Sequence, residues 1–251
     1  MPAEKFKEDY ILHLADSALI LGQRNAEWCG HGPVLEQDIA ITNIALDLIG
    51  QARNFYQYAA TLIADSDEDK LAYLRTEREF KNVLLAEQPN GDWGQTILRQ
   101  FFFSAYQFLL FDELRNSSDQ QIAAIAAKSL KEVTYHLRLS SEWVIRLGDG
   151  TEESHNRMTL ALDKLWRYTG ELFIPAAYEM LAAENKIGIN PSMLKGKWVE
   201  KVKDIFSEAN LPYPDQTFSQ AGGKEGKHTE QLGYILAEMQ YLQRTFPGSE
   251  W

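Results

Sequence analysis

The stretch Ile41-Thr42-Asn43-Ile44-Ala45-Leu46-Asp47-Leu48-Ile49-Gly50-Gln51-Ala52-Arg53-Asn54-Phe55 decides the fold. Ile41, Ile44, Ala45, Leu48, Ile49, Ala52 and Phe55 recur at spacings of three and four, the period of an amphipathic α-helix, and no alternation of period two competes with it. The stripe extends into a helix of about Leu35 to Ala64, which the polar Asp65-Ser66-Asp67 ends.

Working outward, the same period recurs. A first helix from about Lys7 to Ala26 carries Tyr10, Ile11, Leu14, Ala18 and Leu21 on one face, and Cys29-Gly30-His31-Gly32-Pro33 stops it. That turn is short, so the next helix runs antiparallel. A shorter helical piece spans about Asp69 to Leu85, and Glu87-Gln88-Pro89-Asn90-Gly91-Asp92 forms a turn. A third long helix starts near Trp93 and ends at Arg115. Ser118, three residues before Gln121, has capping-box spacing for a fourth, which runs to about Leu147. Ser154 is expected to cap a fifth to about Glu184, kinked at Pro175. Asn190-Pro191 reads as N-cap and N1 of a sixth, ending at Ala209. A final helix covers Thr229 to Arg244. Asn210 to Lys227, with Pro212, Pro214, Gly222, Gly223 and Gly226, is a long loop of the kind that is often functional or partner-bound. The expected architecture is all-α: a single helical domain with a core bundle over about 7–185 and a C-terminal extension over about 186–251.

Composition narrows the functions. At 251 residues and 45% hydrophobic content the chain buries a large core, and disorder is excluded as its main state. A net charge of -11 argues against a binder of nucleic-acid phosphates. A single cysteine, Cys29, excludes an internal disulfide and any cysteine-rich metal site, which fits a reducing, cytoplasmic setting. The first twenty residues lack a signal-peptide pattern, so no export is expected. The most apolar run, Phe101 to Phe111, is interrupted by Ser104 and Gln107 and is far short of the ~20 residues that span a bilayer.

Polar residues interrupt the apolar faces of four successive long helices: Asp16 on the first, Asp47 on the second, Gln100, Ser104 and Gln107 on the third, and Glu132, Tyr135 and His136 on the fourth. Inward-facing acids on long antiparallel helices are the arrangement of carboxylate-bridged di-iron proteins, which need one Glu or Asp from each of two helices and a Glu-x-x-His pair from each of the other two, four carboxylates and two imidazoles in all. Here that set is degraded. Asp47-Leu48-Ile49-Gly50 has Gly where the His belongs, the third helix offers only amides and a hydroxyl, and after Glu132 the i+3 position is Tyr135, with His136 one residue later. A literal Glu-x-x-His, Glu152 to His155, falls in the turn after the fourth helix. The competing reading puts Asp16 and Asp47 in solvent, makes His136 a hydrogen-bonded core or interface histidine, and makes the third-helix stripe a polar packing seam. Cys29 beside His31, and the Gly222-Gly223-x-x-Gly226 run before His228 and Thr229, are weaker candidates for chemistry.

These residues carry a family likeness. Leu19-Ile20-Leu21-Gly22-Gln23-Arg24-Asn25, Trp28-Cys29-Gly30-His31-Gly32-Pro33, Asn43 through Arg53, Asn90-Gly91-Asp92-Trp93, Tyr135-His136 before Glu142-Trp143, and His228-Thr229-Glu230-Gln231-Leu232-Gly233-Tyr234 resemble the PaaC family of bacterial phenylacetyl-CoA epoxidase subunits. The resemblance implies a ferritin-like fold and a non-catalytic role beside a homologous di-iron subunit, PaaA. It also implies a small subunit, PaaB, and a flavin and iron–sulfur reductase, PaaE. This chain would then hold no cofactor, and Asp16, Asp47, Gln100, Ser104, Gln107, Glu132, Tyr135 and His136 would line a degenerate di-iron pocket. The alternatives are a ferritin-like protein with its own di-iron oxidase or storage site, and a homo-oligomeric helical protein. The many aromatic and apolar residues further predict an obligate-class interface, on the order of 2,000 Å² or more in total.

Overall fold

The computed structural model describes residues 5–215 and 218–249, and every regular element among them is helical. The chain forms two compact units. One takes the chain up to Glu87, the stretch Ala176–Tyr178 and the chain from Gly222 on; the other takes Gln88–Pro175 and Glu179–Ala221.

The first unit is built on a hairpin of two long helices, α1 (Lys5–Ala26) and α2 (Leu35–Leu62). The sequence stripes form their shared face: Tyr10, Ile11, Leu14, Ala18 and Leu21 of α1 are buried, as are Ile41, Ile44, Ala45, Leu48, Ala52 and Phe55 of α2. Gly22 permits the close crossing, because a Cβ there would lie 3.1 Å from Ile49 and 3.2 Å from Leu48. Val34 at the N-cap of α2 has no side chain to cap with. Asp38 instead folds back and accepts from the amides of Gly32 (2.8 Å) and Gly30 (3.2 Å), which hold its carboxyl below the usual range. This turn is therefore firm at neutral pH and loosens as acid protonates Asp38.

The next piece, expected as one short helix over Asp69 to Leu85, breaks into α3 (Glu68–Tyr73), a 3₁₀ turn at Glu77–Glu79 and α4 (Leu84–Glu87). Thr76 and Glu79 cause the break: the Glu79 carboxylate takes the Thr76 amide and hydroxyl, each at 2.7 Å, and starts a new turn there.

The second unit is built on α5 (Trp93–Leu114) and α6 (Gln120–Gly148), joined by five residues and hence antiparallel. Asp92 caps α5 by accepting from the Gln95 amide at 2.9 Å, after Gly91 turns the chain at φ +60°. The cap of α6 is Asp119 rather than Ser118: its carboxylate accepts from the Gln121 (3.0 Å) and Ile122 (3.1 Å) amides. A short carboxylate reaches these orphan donors, and its charge suits the positive end of the helix. Asp119→Ala is expected to cost ~1 kcal/mol in urea denaturation, and Ser118→Ala a few tenths or less.

α7 (Glu152–Leu165) is capped by Thr151, which accepts from the Ser154 amide at 3.2 Å, so Ser154 lies inside the helix and not at its start. The expected continuous helix to Glu184 stops at Trp166 instead. Two 3₁₀ turns follow, and the helix resumes after Pro175 as α8 (Ala177–Glu184). The loop after Asn210 captures the freed backbone: the Gln220 amide (2.8 Å) and the Ser219 hydroxyl (3.2 Å) both donate to the Arg167 carbonyl. Gly170 admits Ser219, whose Oγ would lie 2.3 Å from any Cβ.

Asn190 caps a 3₁₀ turn at Pro191–Leu194 that runs into α9 (Lys195–Glu208). The core of this unit is aromatic. Phe101, Phe102, Trp166, Phe173, Trp198 and Phe206 pack at centroid distances of 5.2 to 6.4 Å, and the Trp198 indole N–H donates to the Phe102 carbonyl at 3.0 Å. Each such burial contributes ~1.5–3 kcal/mol. Within the 210–227 loop, Tyr213 stands edge-on to Trp166 at 5.0 Å; residues 216–217 lie outside the described residues. The C-terminal helix belongs to the first unit and is split at Gln240 into α10 (Glu230–Met239) and α11 (Tyr241–Thr245). No helix among the described residues is long and apolar enough to cross a membrane.

Candidate functional site

Asp16 is fully buried in α1, not on a solvent face. Its carboxylate accepts from the Tyr56 hydroxyl at 2.6 Å, from both terminal nitrogens of Arg75 and from the Lys81 amide at 2.7 Å. Arg75 is stacked over the Phe80 ring at 4.2 Å and also donates to the carbonyls of Leu71 and Glu79. Burial is the largest single influence on this guanidinium and works against its charge, but Asp16, Tyr56 and Glu79 together outweigh it and leave the group more firmly protonated than usual. Burial first, and the Asp16 charge second, push the Tyr56 phenol well above its ordinary value, so it remains a neutral donor. A carboxylate satisfied by four donors in this way has no lone pair turned toward a metal ion.

Asp47, the second expected acid, is half-buried on α2, and Asn43 on the same helix is exposed. In the second unit Gln100, Ser104 and Gln107 are all buried on α5, and the Gln100 amide donates to the Ser104 hydroxyl at 2.8 Å. On α6 His136 is buried, while Glu132 and Tyr135 are half-buried. The rings of Tyr135 and His136 lie 6.4 Å apart, and the Ser140 hydroxyl closes back on the His136 carbonyl at 2.7 Å. The Glu-x-x-His in the turn is structural: His155 Nδ1 donates to the Gly148 carbonyl at 2.8 Å, and Glu153 pairs with Arg157.

The donors present do not fit a di-iron centre. Among the described residues no group of three or more His, Cys, Asp or Glu side chains is placed to hold a metal ion. Amides and hydroxyls stand where two hard cations require carboxylates.

A second buried network has no signature in the sequence pattern. Glu87, the last residue of α4, is completely buried and accepts from four donors: His228 Nδ1 (2.8 Å), the Asn82 amide nitrogen (2.9 Å), and the amide and hydroxyl of Thr229 (2.7 Å each). His228 Nε2 donates to the Phe80 carbonyl at 2.9 Å. Arg24 at the end of α1 donates to the Glu87 carbonyl and, at 3.3 Å, to Gln231 of α10. Gly222 (φ +138°) and Gly226 (φ +78°), read as a possible anion-binding run, are the turns that bring His228 to this carboxylate. A third such group, Arg99, is buried on α5 and holds the turn before it through the Gln88 carbonyl and Asn90, the latter at 2.6 Å. Cys29 is exposed.

Asp16 and Glu87 are thus each held by several side-chain and backbone donors, and Gln100 and Ser104 bond each other. A profile of the family described as phenylacetic acid catabolic protein matches residues 2–251. Over 242 residues, 96% of this chain and 98% of that protein, the sequence is 50% identical to the C subunit of 1,2-phenylacetyl-CoA epoxidase from Escherichia coli (strain K12). A match that runs essentially end to end on both chains leaves one conclusion: this chain belongs to the phenylacetic acid catabolic protein family.

Proposed function

We propose that this chain is the structural, non-catalytic subunit of a phenylacetyl-CoA epoxidase of aerobic phenylacetate catabolism. The observation that carries this reading is the 50% identity to the epoxidase's C subunit over nearly the whole of both chains. In this role the chain supports a homologous di-iron subunit, PaaA, together with the small subunit PaaB. Electrons arrive from NADPH through the flavin and iron–sulfur reductase PaaE, and O2 supplies the oxygen of the ring-1,2-epoxide. The di-iron centre belongs to the partner, and the complex works in the cytoplasm.

The satisfied Asp16, the amide and hydroxyl stripe of Gln100, Ser104 and Gln107, and the single histidine His136 beside Glu132 and Tyr135 support the absence of a metal role. The test is anaerobic iron loading of the pure chain, followed by elemental analysis. Substoichiometric iron is expected. Close to two irons per chain, with a di-iron optical signature, would establish the alternative of a ferritin-like oxidase or storage protein.

A further inference from the structure

The face of α2 opposite its buried stripe is apolar where a surface helix is ordinarily polar. Leu35, Ile39 and Leu46 are 71%, 52% and 62% exposed and lie within a narrow arc of the helix, with exposed Val34 just before it. Ile39, Asn43, Leu46, Gly50 and Arg53 follow each other at alternating steps of four and three, the seam of a helix that pairs with another helix. Gly50 sits mid-helix on this seam at a cost of ~1 kcal/mol relative to alanine, and a Cβ there would meet nothing within 4 Å. The position is open on this chain's side and lets a second backbone come close. Asn43 is the single polar residue inside the aliphatic part of the seam, the device that fixes register in paired helices.

We infer that this α2 seam is the docking face for a long helix of the homologous subunit with which this chain is proposed to assemble. The inference rests on the structural-subunit reading above. Charge selects the occupant. α2 carries Glu36, Asp38 and Asp47 against one cation, Arg53, which is already paired with Glu68 at 3.3 Å, and each copy of the chain has a net charge of -11. A second copy would bring like charge to the seam, so the fitting partner is a helix with aliphatic seam residues flanked by Lys or Arg. A stable interface takes ~800 Å² from each partner, more than one helix seam supplies, so the seam would form the centre of a wider contact.

The test uses the full chain with the homologous di-iron subunit and measures the dissociation constant for wild type, Leu46→Glu, Gly50→Leu and a control, Leu160→Glu, at an exposed position of α7. Leu46→Glu and Gly50→Leu are expected to weaken the pair roughly 30-fold or more, as loss of a central contact does. Gly50→Leu should at the same time raise the thermal midpoint of the isolated chain, since leucine is the better helix former, so weakened binding cannot be ascribed to unfolding. The control should bind as wild type does. Unchanged affinity in both seam variants overturns the surface while leaving the structural-subunit reading standing. A wild-type chain that fails to bind the di-iron subunit overturns both. A wild-type dimer that Leu46→Glu converts to monomer assigns the seam to a second copy and overturns the chosen occupant.

Discussion

Arg75→Met is expected to remove about 3 to 5 kcal/mol of folding stability, because it strands the buried Asp16 carboxylate with only the Tyr56 hydroxyl and the Lys81 amide. Urea denaturation at neutral pH measures it. The loss arises from an uncompensated buried charge and not from the worth of the ion pair, so the double variant Asp16→Leu/Arg75→Met should recover much of it. Additive losses in the double variant would contradict that account. The network also sets an alkaline limit. Tyr56 keeps its proton in the folded state well above its ordinary value, so the unfolded chain releases that proton first and stability falls as pH rises past about 10. Tyr56→Phe should be less stable at neutral pH and should show a shallower alkaline decline, the remainder coming from Tyr73 and Tyr213, whose phenols burial also pushes up.

The second large effect is expected at Glu87. Replacing it with Ala leaves His228 Nδ1, the Asn82 amide group, and the amide and hydroxyl of Thr229 without their common acceptor inside the first unit. A loss of roughly 2 to 5 kcal/mol follows from breaking a buried charge network of this kind. It should appear first as local opening, since this carboxylate fastens the start of α10. Hydrogen exchange is the measurement: amides of α10 should lose protection in Glu87→Ala while those of α5 and α6 keep theirs. Undiminished protection in α10 would show that Arg24 and the buried Leu232, Ile235 and Leu236 hold the helix without the carboxylate.

Much of the fold was legible because long helices state themselves repeatedly. The stripe from Ile41 to Phe55 and the breakers at Gly30 to Pro33 and Asp65 to Asp67 place α2 to within two residues of its observed ends. Caps were less legible. Ser118 and Asp119 are adjacent and chemically similar, and only the geometry of the turn assigns the cap to Asp119. The region from Trp166 to Pro175 misled for a different reason. Its local pattern is helical, but Gln220 and Ser219, some fifty residues later, take the Arg167 carbonyl, and no local signal announces such a bond.

The site was legible in part for the same physical reason. A polar residue that interrupts an apolar stripe is visible in sequence, and Asp16, Gln100, Ser104, Gln107 and His136 are indeed buried. Their partners are not visible. Arg75 falls in a short irregular segment, where an arginine ordinarily reads as a solvated surface charge. The pairing of Glu87 with His228 spans 141 residues. Burial of Arg24 depends on the Glu87 carbonyl, 63 residues away, and that of Arg75 on the Asp16 carboxylate, 59 residues away, and sequence spacing does not encode these.

The claim that this chain acts by supporting a partner and not by chemistry of its own is tested most directly by turnover. The homologous di-iron subunit is prepared alone and with this chain, each supplied with the reductase, NADPH and O2, and ring oxidation of phenylacetyl-CoA is followed. The account predicts that the di-iron subunit alone is essentially inactive, that adding this chain restores epoxidation, and that the chain by itself forms no product. A di-iron subunit that turns over alone at the rate of the complex would contradict it.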